Sequence, residues 1–194
     1  NTETVKEVLE DFAEKIKDGR WRIRPKIKER ESEHDSIVEM IATIGEKSGF
    51  DVHADISGWR GRLELKIPKE KLDRIKEIDV IWYKDGKITH EFEVENTTGI
   101  TEAIVRGSNI VQKNINRYIV IPEERMDFFY QKISEPILQE KVEQYNWRFI
   151  YYDSLKDFFI KNKNRKSINH SDFVKMSGKP KIKNHKQKNI SEFN

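Results

Sequence analysis

The chain has 194 residues, and none of them is cysteine. A disulfide scaffold, a thiol nucleophile, a thiolate zinc site and an iron–sulfur cluster are therefore excluded. No apolar run reaches the roughly 18 residues that a membrane helix needs, and the first residues lack the apolar stretch of a signal peptide. A Walker loop, a dinucleotide-binding glycine fingerprint and an HExxH motif are also missing, which argues against an NTPase, a dehydrogenase and a zinc protease. We therefore expect a cytoplasmic protein.

The composition is polar for a folded protein. Hydrophobic residues make up 36% of the chain and charged residues 37%. Aromatic residues nevertheless account for 10%, which is too many for a chain that is disordered throughout. Because the length suits one domain with its own core, we expect a single compact domain with solvated ends.

The net charge of +3 is unevenly distributed. Residues 161–194 contain ten lysines and arginines but only two acids, a net charge of +8, so the preceding residues carry a net charge of −5. This basic stretch has few apolar residues and cannot bury enough surface to offset its ordering entropy, so we expect a flexible tail. Such a tail is typical of a phosphate-binding arm and also of a solubilising terminus.

The N-terminal residues are predicted to form a helix and then a basic extended segment. Thr4 and Glu7 match a capping box, and the apolar residues that follow have helical spacing up to Gly19. Residues 21–28 alternate apolar and basic side chains, with an interruption at Pro25. This alternation is typical of a solvated edge strand or of a strand that faces phosphate.

From Ser32 onward, helices and strands alternate. Ser32 is expected to cap a helix that ends at Gly49. Strands are predicted over 50–56, 62–67, 78–83, 88–95, 118–121 and 149–152, and helices over 99–112, 123–144 and 155–160. This order predicts an α/β fold with a mixed central sheet.

Residues 78–95 are predicted to form a β-hairpin with Asp85-Gly86 at its turn. A two-residue turn sends Asp79 and Glu93 to opposite faces. A three-residue turn with a bulge at Gly86 instead separates acidic from apolar side chains, and we prefer this register because it collects the apolar groups on one side. The acidic set is then Asp79, Glu91, Glu93 and Glu95, and the apolar set is Ile78, Val80, Trp82, Ile88, Phe92 and Val94.

The carboxylates on the predicted acidic face would repel one another. Carboxylates within roughly 7 Å, the span of two strand residues, repel one another and resist joint ionisation. A divalent cation removes this conflict. Because the chain offers no cysteine and no histidine pair at metal-ligand spacing, oxygen ligands favour Mg²⁺ or Mn²⁺ over zinc. The alternative is an exposed sheet face that binds no ligand.

Two short motifs, Ile78-Asp79-Val80 and Phe92-Glu93-Val94-Glu95-Asn96-Thr97-Thr98, precede Ile100 and Arg106. With these motifs, residues 31–160 resemble the PD-(D/E)XK, or restriction-endonuclease-like, nuclease superfamily in its Glu-x-Glu variant. The resemblance implies a mixed central sheet flanked by helices. It also implies a Mg²⁺-dependent or Mn²⁺-dependent endonuclease that hydrolyses DNA phosphodiester bonds in a restriction system or another defence or DNA-processing system.

The resemblance also implies a set of site residues. In the superfamily, a glutamate of the first core helix joins the motif acids at the metal, and Ser32-Glu33-His34 matches the start of that helix. Asp79, Glu93 and Glu33 would then bind the metal, and Glu95 would complete the catalytic set. Glu33 is chosen because it lies in phase with the apolar residues of its helix.

A helix after the acids is expected to bind substrate. Thr97 or Thr98 can cap it, and Arg106 and Asn109 share one of its faces. The resemblance places this helix beside the active site, where Thr97, Arg106 and Asn109 would contact substrate and Arg106 would hold a phosphate oxygen. Spacing alone is equally consistent with a salt bridge from Arg106 to Glu102.

The motif departs from its usual form at two positions. Ile78 stands in place of the signature proline, and Glu95 stands in place of the lysine that usually orients the attacking water. The second change leaves a rival hypothesis, a catalytically inactive nucleic-acid-binding or assembly module with the nuclease fold. RNA also stays open as a substrate. The resemblance suggests a homodimer or a part of a larger protein.

Other candidate residues were weighed against this set. Asp55 with Glu64-Leu65-Lys66 matches the Asp-x8-Glu-x-Lys spacing more literally, but no threonine-rich helix start with a trailing arginine follows it. We therefore favour the set that contains Asp79. His34 and His90 are candidate bases, although a single histidine is more often structural.

Overall fold

The computed structural model describes residues 13–15, 20–23, 25–59, 65, 72–73, 75–95, 99–108, 110 and 114–181. In chain order its elements are β1 (Ala13–Lys15), β2 (Trp21–Ile23), α1 (Pro25–Lys47), β3 (Asp51–Ala54), β4 (Val80–Lys84), β5 (Lys87–Val94), α2 (Ile100–Ser108), β6 (Asn116–Ile121), a 3₁₀ turn (Glu123–Arg125), α3 (Met126–Ile133), α4 (Pro136–Gln144), β7 (Arg148–Tyr151), α5 (Tyr152–Asn162) and α6 (His170–Lys175).

A five-stranded mixed sheet lies at the centre, in the order β3-β4-β5-β6-β7. Strands β3, β4 and β5 pair antiparallel, whereas β6 runs parallel to β5 and β7 runs parallel to β6. The parallel half needs helical crossovers, and helices α2 to α4 supply them. In this strand order β5 is the middle strand. A layer of helices covers each side of the sheet.

The two faces of the sheet bury separate apolar clusters. On one face, α1, α5 and α6 pack with Trp82, Phe92 and Tyr118. The Phe92 ring stacks on Tyr118 with centroids 5.0 Å apart and lies tilted against Trp82 at 4.6 Å. On the other face, helices α2 to α4 cover Ile119 and Ile121. The prediction of an α/β fold with a mixed sheet flanked by helices is confirmed, and this architecture is compatible with a restriction-endonuclease-like core.

The predicted N-terminal helix is wrong where the structure describes it. Residues Ala13–Lys15 form a strand that pairs antiparallel with Trp21–Ile23, so cross-strand pairing overrides the local helical spacing. The extended segment predicted over residues 21–28 ends early, because α1 begins at Pro25 rather than at Ser32. Proline suits a first helical position, where its missing N–H needs no partner.

The single long helix predicted over residues 123–144 is also wrong. A 3₁₀ turn precedes α3, and the helix is interrupted between α3 and α4. The reason is Pro136, which cannot donate a helical hydrogen bond and pushes Glu135 into an extended conformation with φ −65° and ψ 128°.

The flexible tail predicted over residues 161–194 needs correction for residues 161–181. Ile168 and Phe173 are buried in the cluster on the α1 face. Gly178 exchanges two backbone hydrogen bonds of 2.9 Å with Phe149 of β7. A few well-spaced apolar residues therefore fold this basic segment onto the domain, because each one finds a place in an existing core. Residues 182–194 lie outside the described residues.

Among the described residues, no helix combines the length and the apolar character that crossing a membrane would require.

The packing of α6 leads to a stability prediction. Phe173→Ala removes a fully buried ring and is expected to lower the free energy of unfolding by about 3–5 kcal/mol. The matched control is Lys175→Ala on the exposed side of the same helix, which should change it by less than about 0.5 kcal/mol. Urea unfolding followed by circular dichroism measures both. Equal effects for the two variants would contradict the packing of α6 onto the core.

Candidate active site

The hairpin of β4 and β5 adopts neither of the two predicted registers. Its turn has two residues, Asp85 and Gly86, both with positive φ (54° and 72°), as a type I′ turn requires. Lys84 and Tyr83 therefore pair with Lys87 and Ile88. The register then shifts by one residue, so that Thr89 is left unpaired in a β-bulge.

A two-residue turn without a bulge would place Asp79 and Glu93 on opposite faces of the sheet. The bulge shifts the pairing by one residue and returns them to the same face. Beyond it, Trp82 pairs with His90, Ile81 with Glu91 and Val80 with Phe92. One further step brings Asp79 level with Glu93, and the Val94 N–H donates to Asp79 Oδ2 at 2.7 Å. Asp79, Glu91 and Glu93 thus share a face, as preferred, but for a different reason. Ile78 and Ile88 are the exceptions, since they pack with Ile81 and Tyr83 and not with Trp82.

Glu93 lies at the centre of the site and is completely buried. Arg106 of α2 donates from Nε to Glu93 Oε1 at 2.8 Å and from Nη2 to Oε2. This fork satisfies both carboxylate oxygens. Burial raises the pKa of Glu93 well above its usual range, the hydrogen bonds from Arg106 oppose that rise, and the negative charge of Asp79 adds to it.

Glu95 lies at the end of β5, beside the first turn of α2. Its side chain is nearly buried, and its carboxylate contacts Gly99 so closely that a Cβ at Gly99 would lie 2.8 Å from Oε2. Burial and the neighbouring Asp79 charge raise the pKa of Glu95 to about 7. The start of a helix favours negative charge, so the backbone of α2 complements this carboxylate.

Glu91, the fourth predicted acid, has a different environment. It is fully buried and lies 3.2 Å from Nε of Arg117, which is itself buried and donates from Nη2 to the Ile110 carbonyl at 2.8 Å. Burial raises the pKa of Glu91 to about 8, and Arg117 opposes that rise. Gly107 of α2 closes over the Glu91 carboxylate with no room for a Cβ. Glu91 therefore belongs to the packing of α2 against the sheet.

Helix α1 presents His34 to the acids rather than Glu33. His34 Nε2 lies 3.6 Å from Asp79 Oδ2, and the contact with Asp79 raises the pKa of His34. Glu33 accepts a hydrogen bond of 2.9 Å from Lys156 of α5. Burial raises the pKa of the Tyr152 phenol, and the nearby charges of Glu33, Glu95 and Asp79 add to that rise.

The helical spacing of α1 contains a signal for His34, although the same spacing led to the prediction of Glu33. The buried stripe of α1 includes Ile37, Val38 and Ile41, and residue 34 lies one turn before it. Met40, which supported Glu33, is only partly buried. Lys156 had no such signal, since it lies 123 residues from Glu33 in the chain.

The structure places His90 away from the acids and does not describe several other candidates. Thr97 and Asn109 lie outside the described residues, as do Glu64 and Lys66 of the alternative motif. His90 is buried on the opposite face, where its Nε2 lies 2.8 Å from Nε2 of His170. Burial lowers the pKa of His90 to about 3, which suits a structural role.

Asp79, Glu93 and Glu95 are the possible ligands for a divalent cation at this site. Within the described ranges, no group of three or more histidine, aspartate and glutamate side chains stands ready to hold a metal ion. Two of the acids are engaged in ion pairs, Glu93 with Arg106 and Glu33 with Lys156. Asp79, Glu93 and Glu95 nevertheless supply the hard oxygen donors that Mg²⁺ prefers. The positively charged group that pairs with Glu93 is the Arg106 guanidinium. The carboxylate donors therefore suit a divalent cation, which would bind Glu93 only after Arg106 moved away.

The family model described as "Type II restriction enzyme NmeDI C-terminal domain" matches residues 61–177. The matched residues include β4, β5, α2 and therefore Asp79, Glu93, Glu95 and Arg106, and they extend through α6. No curated protein and no solved structure gives a significant match to the chain.

The raised pKa of Glu95 leads to a prediction on pH dependence. Its folded-state pKa of about 7 lies above the ordinary value of 4.5, so the stabilising contribution of its protonated form is lost as pH rises through about 7. We expect the metal-free protein to lose stability between about pH 6.5 and pH 8.5, and Glu95→Gln to reduce that loss by about 1 kcal/mol. Urea unfolding in EDTA at both pH values measures the change.

The choice of pH range separates this effect from the histidines of the opposite face. Burial lowers the pKa values of His90 and His170, so their effect on stability falls below the ordinary histidine pKa of 6.5. The matched control is Glu140→Gln, an exposed position on α4, which should keep the wild-type pH dependence. An unchanged pH dependence in Glu95→Gln would contradict the predicted role of this carboxyl group.

Proposed function

Because this chain belongs to the family of the Type II restriction enzyme NmeDI C-terminal domain, we propose that it is a metal-dependent endonuclease that hydrolyses DNA phosphodiester bonds in a restriction or other defence system. One observation carries the proposal. The bulge at Thr89 brings Asp79 to the face of the sheet that holds Glu93, with a basic side chain, Arg106, beside them.

In this function, Asp79, Glu93 and Glu95 would hold Mg²⁺ or Mn²⁺. These carboxylates come from two adjacent strands and lie where their mutual repulsion favours a bound cation. A bound divalent cation supplies Lewis-acid polarisation of the phosphoryl oxygen and lowers the pKa of water. The contribution of the chain is a largely buried set of oxygen donors from β5 and from Asp79 just before β4, with the Val94 N–H orienting Asp79.

The basic groups around the acids fit a phosphodiester substrate. Arg106 is about one-third exposed and presents a guanidinium group whose fork matches phosphate geometry. His34 is also about one-third exposed and contacts Asp79, so it is placed to orient that carboxylate. Lys163 and Lys166, which are exposed just after α5, would add salt-sensitive attraction to the nucleic-acid backbone.

A second candidate function is a nucleic-acid-binding or assembly module that has lost catalysis. Two observations favour it. Glu95 occupies the motif position where the superfamily usually has a lysine, and Arg106 forms an ion pair with Glu93. Such a module would bind DNA without cleaving it.

Cleavage of supercoiled plasmid DNA tests the proposal. The wild-type protein should nick or linearise the plasmid in Mg²⁺ or Mn²⁺ and lose this activity in EDTA. Asp79→Asn keeps an oxygen that accepts the hydrogen bond from Val94 but removes a charged ligand, and we expect it to slow cleavage by at least about a hundredfold. Glu93→Gln should have a similar effect.

The matched control is Glu39→Gln on the exposed side of α1, which should cleave at the wild-type rate. DNA binding is measured in parallel by electrophoretic mobility shift with Ca²⁺ in place of Mg²⁺. Binding without cleavage in the wild-type protein would support the inactive module. Cleavage that persists in Asp79→Asn would contradict the assignment of these residues. A parallel assay on RNA decides which nucleic acid is the substrate.

A further inference from the structure

Two arginine–glutamate pairs lie on the same face of β5, and they differ in how firmly the arginine is held. Arg117 is buried, donates to the Ile110 carbonyl and lies over the Tyr145 ring at 4.8 Å. These contacts hold it whether or not Glu91 is charged. Arg106 is about 30% exposed, and within the described part of the chain its hydrogen bonds go to Glu93 alone. Arg106 is therefore the arginine that can leave its partner.

The position of Arg106 is the position that a cation would take. Its guanidinium covers both oxygens of Glu93, which is itself fully buried. The negative charges of Asp79 and Glu95 also act on it. Arg106 therefore acts on all three carboxylates, and Asp79 also contacts His34 at 3.6 Å. A metal ion that used Glu93 would have to displace the Arg106 guanidinium.

We propose that Arg106 is an exchangeable counter-ion, which occupies the carboxylate site in the metal-free protein and is released toward the phosphate backbone of the substrate when a divalent cation binds. This inference rests on the proposed function, since it assigns a regulated step to the same site. The side chain is long and about 30% exposed to solvent, so it can turn away without unfolding α2. The site then exchanges one cation for another and never leaves buried carboxylates uncompensated.

The exchange also links metal binding to substrate binding. While Arg106 binds Glu93, its fork is not available to a phosphate group. Metal binding frees the fork, and a phosphate that binds the freed Arg106 prevents its return to Glu93. Metal and nucleic acid should therefore each strengthen the binding of the other.

Titration of Mn²⁺ without DNA tests the exchange directly. Wild type, Arg106→Gln and Arg165→Gln are titrated by isothermal calorimetry or by electron paramagnetic resonance, at about pH 8.5 so that protons compete little for the carboxylates. Arg106→Gln should bind Mn²⁺ about tenfold to a hundredfold more tightly than wild type, because no charged hydrogen-bonded pair has to be broken. Arg165→Gln removes the same charge from an exposed site and should leave the affinity unchanged.

A second variant protects the test against misfolding. Arg106→Lys keeps the charge but loses the two-pronged contact, so its Mn²⁺ affinity should lie between those of wild type and Arg106→Gln. Circular dichroism in the presence of Mn²⁺ verifies that each variant is folded. Both Arg106 variants should weaken DNA binding in the metal-loaded protein, because the freed phosphate ligand is gone.

The outcomes distinguish this inference from the proposed function. If wild type binds Mn²⁺ and cleaves DNA but Arg106→Gln binds Mn²⁺ no more tightly, the exchange is overturned and the nuclease stands. If no variant binds Mn²⁺ and wild type does not cleave, both proposals are overturned. Tighter Mn²⁺ binding by Arg106→Gln supports the exchange even if the wild-type protein proves to be a poor nuclease.

Discussion

The candidate site depends on one unpaired residue in the middle strand of the sheet. Thr89 is the extra residue of the bulge, and it shifts every later residue of β5 by one position against β4. Because side chains alternate along a strand, a shift of one residue exchanges the two faces. Without the bulge, Glu93 would point into the aromatic cluster around Trp82. With it, the aromatic rings pack on one side and the acids meet on the other.

The side chain of Thr89 explains how the bulge is stabilised. Its hydroxyl donates to the Trp82 carbonyl at 3.0 Å, so the same oxygen can only accept from Nδ1 of His90, 2.9 Å away. His90 thus carries its proton on Nδ1, and its Nε2 accepts from Nε2 of His170 in α6. One hydrogen-bonded chain therefore joins the bulge in β5 to the C-terminal helix, which links the geometry of the site to the segment that follows α5.

Buried charge is the second constraint on this face. Carboxylates in the middle strand of a sheet lose their hydration and need partners, and the chain supplies them from neighbouring elements, Arg117 of β6 and Arg106 of α2. The pair of Arg117 and Glu91 is buried and contributes to packing. The pair of Arg106 and Glu93 is open to solvent on the arginine side, where Glu93 can accept a different cation. Helix α2 covers the first pair at Gly107 and supplies the arginine of the second, so one helix serves both packing and chemistry.

Local patterns predicted much of this protein, because they depend on residues close together in the chain. Alternating apolar residues located β4, β5, β6 and β7 within a few positions, and the Asp-Gly pair located the turn between β4 and β5. The acids Asp79, Glu93 and Glu95 and the basic Arg106 were also chosen from spacing and resemblance alone. Pro136 divides the predicted long helix in two. A proline at this position is itself a local sequence signal for a helix boundary.

The amino-acid sequence by itself determined the alternation of strands and helices, the absence of thiol chemistry and the concentration of carboxylates on a single hairpin. Only the tertiary structure decided the register of that hairpin, the choice of His34 over Glu33 beside Asp79, and the packing of Ile168 and Phe173 against the core. The physical reason is that these three outcomes depend on contacts between distant segments. A bulge, a helix rotation of about 100° per residue and the fit of two apolar side chains are each small in local energy, so long-range packing determines them.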